Sequence, residues 1–169
     1  MSTQVIFETT LGNITIEVDY DNAPIGAENF VHYAMDGFYN GTIFHRIIPG
    51  FMVQGGGMLP GMEEKESGDP IENEADNGLK NVRGALSYAR TMDPNSATTQ
   101  FFMNLVDNDF LDFRSKDMNG WGYAVFGKIV DGIEVIDEMA KVETTSRRGH
   151  QNVPVEDIVI ENTRVVEAD

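Results

Sequence analysis

The first eighteen residues restrict the fold most, because they hold two short β-rich segments joined by a turn. In residues 13–18, NITIEV, apolar side chains alternate with polar ones, which is typical of a strand with one buried face. Residues 4–9, QVIFET, are also rich in strand-forming side chains, and residues 10–13, TLGN, favour the tight turn of a hairpin. The chain is therefore predicted to begin with an antiparallel β-hairpin.

Further short strands are expected between clusters of glycine, proline and asparagine. They lie at about residues 43–48, 51–55, 85–89, 100–104 and 124–130. The final stretch at 157–167, DIVIENTRVVE, alternates again and predicts a closing strand pair or one long strand. Between them, the polar and acidic segment 58–82 predicts a long surface loop.

Two helices are predicted. The first begins near Pro24, a residue favoured in a first helical turn, and ends near Gly37. Its apolar stripe contains Ala27, Phe30, Val31, Ala34 and Met35. The second helix covers Ile133 to Ala140, and Val135, Ile136 and Met139 are expected to face inward.

Many short strands with two helices indicate a mainly β fold, namely a closed antiparallel barrel with helices at its ends. A length of 169 residues suits a single domain over residues 1–169. A barrel of about eight strands fills its interior with side chains, so a binding site is expected on its outer face or in its loops.

Composition narrows the possible partners. The net charge of −16 repels phosphate backbones and anionic lipid, so neither nucleic acid nor a membrane is expected as a partner. The acidity favours solubility over recognition of basic substrates. There is no cysteine, no basic and apolar leader, and no apolar run of membrane-spanning length, so we expect a cytoplasmic protein.

The most unusual stretch is residues 44–57, FHRIIPGFMVQGGG, because it places Arg46 and Gln54 among large apolar residues. Arginine is rarely buried without a partner, although its aliphatic stem can lie on apolar surface while the charge stays in water. The neighbouring Phe51 and Met52 have the composition of ordinary core. The stretch alone leaves open whether it is structural or functional.

Several familiar chemistries are absent from the sequence. The three glycines at 55–57 lack the spacing of a nucleotide-binding loop and favour a tight turn with close backbone approach. The three histidines do not have metal-ligand spacing, and His45 is expected to be packed and hydrogen-bonded. The acidic run at 107–112 does not match a calcium loop. No nucleophile, metal site or cofactor site is predicted.

Five segments together resemble the cyclophilin family of peptidyl-prolyl cis–trans isomerases. They are FHRIIPGFMVQGG at 44–56, LSYAR at 86–90, SATTQFF at 96–102, FLD at 110–112 and YAVFGKIVDG at 123–132. The resemblance covers essentially the whole chain, and the first of these patterns is long and specific. Its compact loops are similar to those of bacterial single-domain members.

The resemblance implies an eight-stranded antiparallel β-barrel capped by two α-helices, with an active groove on the outside. It also implies isomerisation of X–Pro bonds, assistance to protein folding and no cofactor. By position, Arg46 corresponds to the catalytic arginine, with Gln54 beside it. The residues implied to bind the substrate are Phe51, Met52, Ala89, Arg90, Gln100, Phe102, Phe110, Leu111 and Tyr123.

Three positions depart from the common family pattern. Phe110 stands where many members have tryptophan, Tyr123 where many have histidine, and Arg90 where many have asparagine. The implied partners are proline-containing peptides and folding proteins. Binding of cyclosporin is expected to be weakened by Phe110. A monomer is expected.

The residues suit this reaction because rotation about an X–Pro bond needs no nucleophile. The bond must lose its amide resonance, against a barrier of about 20 kcal/mol. A guanidinium can stabilise the pyramidal nitrogen of a twisted amide, and an apolar pocket can disfavour the more polar planar form. Two other classes are alternatives: a chaperone module that binds proline segments without significant turnover, and a small-ligand barrel with an internal cavity. The second is disfavoured because the matched apolar residues fall in the outer groove.

Overall fold

The computed structural model describes residues 2–168. Eight strands form the main sheet: β1 (Ser2–Thr9), β2 (Gly12–Val18), β3 (Arg46–Ile48), β4 (Met52–Gly55), β7 (Ala85–Tyr88), β8 (Phe101–Asn104), β9 (Val125–Asp131) and β12 (Ile160–Ala168). Two hairpins lie outside it: β5 (Met58–Leu59) with β6 (Glu63–Glu64), and β10 (Thr144–Arg147) with β11 (His150–Pro154). The helices are α1 (Pro24–Met35) and α2 (Ile133–Met139).

The main sheet is antiparallel throughout, with the order β12-β1-β2-β9-β7-β8-β4-β3. The predicted mainly β fold with eight strands and two helices is therefore confirmed. The word "closed" is slightly too strong, because the edge strands β3 and β12 share no continuous ladder. Instead, residues 41–44 bond to residues 158–160 through short backbone contacts, such as Phe44 N to Ile158 O at 2.9 Å. The sheet is curled into a barrel-like form.

The core lies inside this curl because the strands alternate as their sequences predict. In the first hairpin, Ile14, Ile16 and Val18 point inward and are buried. The centre is aromatic: the ring centroid of Phe30, from α1, lies 5.8 Å from that of Phe7, 5.8 Å from that of Phe101 and 4.9 Å from that of Phe126. Side chains therefore fill the interior, which leaves the outer face for a site.

Both helices pack with the predicted residues inward, with one exception. Met35, which the sequence places in the apolar stripe of α1, is the last residue of the helix and is 71% exposed. In the described part of the chain, neither helix is long and apolar enough to traverse a bilayer.

Two regions differ from the sequence-based picture. Segment 58–82 is mostly irregular, but it contains the β5–β6 hairpin, and its Met58 and Met62 are buried against Ile43 and Val153. The β10–β11 hairpin was not predicted at all, since residues 144–154 have little apolar alternation. The chain then ends in one long strand, β12, which pairs with β1.

Candidate active site

The register of three neighbouring strands places the predicted catalytic residues on one outer patch. Arg46 on β3 is paired with Gln54 on β4, and Gln54 is paired with Phe102 on β8. Residues paired across antiparallel strands project from the same face. Val53 and Met103, the neighbours of Gln54 and Phe102 along their strands, point to the other face and are buried in the main core. The Arg46 face is therefore the outer one.

An apolar cluster forms the floor of this patch and is separate from the main core. Met52, Phe102 and Leu111 are 2%, 5% and 8% exposed, and Phe51 and Tyr123 pack against them. Burying such side chains on an outer face normally requires a covering element, and part of that cover comes from the turn at Asp109–Leu111. The part of the cluster that this turn leaves uncovered lines a small apolar hollow.

A polar rim borders one side of the hollow. The Nη1 of Arg46 donates to Oε1 of Gln54 at 3.3 Å, and Nε2 of Gln54 donates to Oε1 of Gln100 at 3.1 Å. Gln100 has room for this contact because a Cβ at Gly57 would lie only 2.3 Å from its Cγ. The glycine run thus serves close approach, as its sequence indicated. Among the described residues, no carboxylate forms an ion pair with the exposed Arg46.

Aromatic rings and a second arginine also line the hollow. The ring of Phe110 is 61% exposed and stacks on Phe51, with 5.7 Å between centroids. Tyr123 meets Phe102 edge to face at 5.7 Å. The Cζ of Arg90 lies 4.5 Å from the centre of the Tyr123 ring. Arg90 and Tyr123, two of the positions that depart from the common family pattern, therefore contact each other directly.

The structure brings the predicted residues together in a hollow of about 340 Å³. It is lined by Arg46, Phe51, Met52, Gln54, Ala89, Arg90, Phe102, Phe110, Leu111 and Tyr123. Gln100 is not in the lining, but it contacts two lining residues: its side chain bonds Gln54, and its carbonyl oxygen accepts from Ala89 N. Ile48, which packs against the apolar floor, was missed. Its alternation with Arg46 along β3 could have indicated the same face.

A buried amide network lies beneath the floor and was also missed. Nδ2 of Asn108 donates to the carbonyl oxygen of Phe51 at 3.0 Å and to Oδ1 of Asn104 at 2.8 Å. Asn104 in turn donates to Ala85 O at 3.0 Å. Buried amides are stable only when paired in this way. The network fixes the backbone that carries Phe51, and isolated asparagines in the sequence gave no signal of it.

His45, beside Arg46 in the chain, is packed but has an unpaired ring nitrogen. It is 5% exposed, and its Nδ1 has no hydrogen-bond partner among the described residues, so the prediction of a hydrogen-bonded ring is wrong for this atom. Burial, and to a lesser extent the positive charges of His150 and Arg46, lower the pKa of His45 from 6.5 to about 4. The ring is therefore neutral near pH 7.

The site contains groups that can bind and polarise an amide. It offers a fixed positive charge, two amide side chains and an apolar hollow of a size that suits a small ring. Within residues 2–168, no group of three or more histidine, aspartate or glutamate side chains is arranged to hold a metal ion. This arrangement can stabilise a bound group electrostatically and remove it from water.

Comparison with known proteins gives a consistent result. The family described as cyclophilin type peptidyl-prolyl cis-trans isomerase/CLD matches residues 4–165. Peptidyl-prolyl cis-trans isomerase B of Escherichia coli K12 is 53% identical over 96% of this chain and 99% of its own length. Peptidyl-prolyl cis-trans isomerase cyp18 of Streptomyces antibioticus is 51% identical over 98% of this chain and 99% of its own.

A solved structure agrees with these relatives. The cyclophilin type isomerase of Cryptosporidium parvum, crystallised in the presence of the dipeptide Ala-Pro, superposes with a TM-score of 0.80. It is 28% identical, and the match covers 98% of this chain and 99% of that one.

The chain belongs to the cyclophilin type peptidyl-prolyl cis-trans isomerase family. It is accordingly an isomerase, and the resemblance found in its sequence is confirmed at the level of family and enzyme class.

Proposed function

We propose that the hollow binds the proline of an extended polypeptide and that Arg46 and Gln54 are the catalytic residues for rotation of its X–Pro bond. The observation that carries the proposal is the position of Arg46. Its guanidinium is exposed, free of an acid partner among the described residues, and lies at the rim of an apolar hollow. Simple binding of proline would not require such a charge.

Arg46 acts on the twisted amide rather than the planar one. When the bond rotates, the prolyl nitrogen becomes pyramidal and regains its lone pair, so it can accept a hydrogen bond from the guanidinium. In the planar amide this nitrogen is a poor acceptor, so the hydrogen bond is stronger in the twisted state. The interaction therefore lowers the barrier to rotation, in addition to strengthening binding. A charge-assisted bond of about 1.5–3 kcal/mol corresponds to roughly ten- to a hundredfold in rate.

The apolar floor adds a second effect. Phe51, Met52, Phe102 and Leu111 surround the pyrrolidine ring and exclude water from the bond. Because the planar amide has the larger dipole, its transfer from water to such surroundings costs more than transfer of the twisted form. This difference favours the twisted state without any proton transfer.

The remaining residues hold the substrate and the arginine. Gln54 orients Arg46 through the 3.3 Å contact, and Gln100 supports Gln54. Ala89 N donates to Gln100 O at 3.0 Å, which fixes the backbone against which the substrate extends beside Arg90. Phe110 and Tyr123 flank the proline. The Ala-Pro dipeptide present with the Cryptosporidium parvum relative supports a proline-containing ligand here.

We further propose a single isomerase domain over residues 1–169 that acts as a monomer in the cytoplasm on folding polypeptides. A sedimentation mass of two 18.8 kDa chains would contradict the monomer. Cyclosporin is proposed to bind weakly, because Phe110 lacks the indole N–H and the larger ring of tryptophan. Inhibition of turnover by substoichiometric cyclosporin would contradict that assignment.

The decisive experiment compares wild type, Arg46→Ala and Arg46→Lys on an Ala-Pro peptide, with cis–trans exchange followed by NMR. Arg46→Ala is expected to lower kcat/KM by roughly ten- to a hundredfold, and lysine to restore little, since it lacks the planar fork. The matched control is Arg164→Ala, an exposed arginine on β12 that bonds Glu8 at 3.0 Å. Unchanged turnover in Arg46→Ala would remove Arg46 from catalysis, and wild-type binding without turnover would favour a chaperone module.

A further inference from the structure

A second hollow, of about 450 Å³, lies directly against the first and shares Arg90, Phe110 and Tyr123 with it. Arg90 holds part of the common wall in place: its Cζ lies 4.5 Å from the centre of the Tyr123 ring, and its Nε and Nη2 donate to the carbonyl oxygen of Gly122 at 3.1 Å and 2.7 Å. A polypeptide whose proline occupies the first hollow therefore has the second within reach of its next few residues.

The lining of the second hollow combines positive charge with exposed apolar side chains. The charged residues of its lining are two arginines, Arg90 and Arg114, and one aspartate, Asp112. Oδ1 of Asp112 already accepts hydrogen bonds from Asn81 N at 2.7 Å and from Asn81 Nδ2 at 3.1 Å. The hollow is thus locally basic on a protein whose net charge is −16.

The apolar part of the lining is unusually open to solvent. Met92, Met118 and Phe110 are 76%, 68% and 61% exposed. Methionine adapts its shape to irregular apolar ligands. These side chains can cover the aliphatic portion of a bound residue while the arginines meet its charged end.

The loop that carries Arg114 is held in place by its own contacts. Arg114 N donates to Gly120 O at 2.7 Å, and Arg114 Nη2 donates to Asn119 O at 2.8 Å. The carboxylate of Asp117 accepts hydrogen bonds from Ser115 Oγ at 2.8 Å and from Asn119 N at 3.2 Å. Only one of the five guanidinium N–H donors of Arg114 is committed in these contacts, so the others are available to a ligand.

We propose that this second hollow is a specificity subsite for an acidic side chain, glutamate or aspartate, on the substrate segment that flanks the proline. The inference rests on the proposed function, because one bound polypeptide must occupy both hollows. The carboxylate pairs with Arg114 and Arg90, and Met92, Met118 and Phe110 cover the adjoining methylene groups. The local charge, opposite in sign to that of the whole protein, selects an acid over a base.

The test uses Ala-Pro peptides in which glutamate, glutamine or lysine is placed in turn at each flanking position, with exchange followed by NMR. For wild type, glutamate at one or two neighbouring positions is expected to raise kcat/KM over glutamine by roughly two- to fivefold, as partly exposed ion pairs do. Lysine at the same positions is expected to lower it. The glutamate preference is expected to shrink in about 0.5 M salt, where the Debye length falls to a few ångströms.

Two variants locate the preference. Arg114→Gln is expected to bring the ratio of kcat/KM for the glutamate and glutamine peptides close to one. Arg114→Glu is expected to make the lysine peptide a better substrate than the glutamate peptide. Arg164→Gln, on β12, is the matched control and is expected to keep the wild-type ratio. Equal wild-type rates for all three peptides, or an equal loss of preference in Arg164→Gln, would overturn the subsite. Failure of wild type to isomerise any peptide would instead overturn the proposed function.

Discussion

At the scale of single residues, the neighbours His45 and Arg46 have opposite environments. Arg46 projects to solvent from the outer face, whereas His45 is buried beside it. A protonated His45 would place a second positive charge next to Arg46. Burial instead keeps the ring neutral at pH 7, with a pKa of about 4, so His45 adds no second positive charge beside Arg46.

The shifted pKa of His45 predicts a pH dependence of stability. The folded state holds the ring neutral, whereas the unfolded chain protonates it near pH 6.5, so the unfolded state binds more protons in between. Stability is therefore fully present above about pH 6.5 and falls towards pH 4. Between pH 7 and pH 5 the loss from this group is about 2 kcal/mol.

Urea unfolding of wild type and His45→Phe at pH 7 and pH 5 measures this loss. The variant is expected to lose about 2 kcal/mol less than wild type over the interval, whatever its stability at pH 7. His32→Gln is the control, because His32 is exposed on α1 next to Asp36 and its removal leaves the buried ring in place. Parallel pH profiles for wild type and His45→Phe would contradict the assignment.

At the residue level, the sequence is most informative where one motif contains many of the positions. Arg46, Met52 and Gln54 fall on one face because they alternate along two paired strands. The contact between Arg90 and Tyr123 could not be predicted, because it joins residues 33 positions apart in the chain and depends on how the loop before β9 folds. The unpaired nitrogen of His45 could not be predicted either, since it results from tertiary packing.

At the scale of elements, α1 is started by a residue far away in sequence. The N-cap, Ala23, has no side chain able to accept a hydrogen bond. Instead, the carboxylate of Glu74 accepts from Ile25 N at 3.0 Å and from Gly26 N at 2.7 Å. Its negative charge also lies at the positive end of the helix. Segment 58–82 is thus more than a surface loop, because it caps a helix.

Removal of this cap is expected to destabilise the protein. Glu74→Ala should lower the free energy of unfolding by roughly 1–2 kcal/mol, and Glu74→Gln by less, because glutamine keeps an acceptor and loses only the charge. Hydrogen exchange should accelerate at the amides of Ile25 and Gly26. Glu63→Ala on the exposed β6 is the control, and faster exchange throughout α1 without an effect at Ile25 would refute the cap.

The elements themselves were largely predictable because local pattern and tertiary environment agree. β2 alternates cleanly between apolar and polar residues, β1 is rich in strand-forming residues, and both helices have periodic apolar faces. The β10–β11 hairpin escaped prediction because its outer residues are mostly polar and exposed. Its stability comes from pairing and from contacts with β3, which sequence periodicity does not encode.

At the scale of the whole molecule, charge is the dominant feature. There are 28 acidic residues and 12 basic ones, so the excess carboxylates on the folded surface repel one another. Surface ion pairs, such as Arg83 with Asp137 at 2.7 Å, are attractive and oppose this repulsion. The hydrogen bond between the two side chains raises the pKa of Arg83 and lowers the pKa of Asp137, so both charged forms are favoured. Exposed pairs are individually weak, so the acidic excess should decide how the fold responds to salt.

Salt is therefore expected to stabilise this protein at neutral pH. Raising NaCl from about 20 mM to about 200 mM shortens the Debye length from about 20 Å to below 10 Å, which screens repulsion between distant carboxylates more than attraction within contact pairs. We expect the melting temperature at pH 7 to rise by a few degrees. Near pH 5, closer to the isoelectric point of about 4.4, the same addition should have much less effect, since the net charge is smaller. A melting temperature that falls with salt at pH 7 would mean that ion pairs, and not the acidic excess, dominate the electrostatics of the fold.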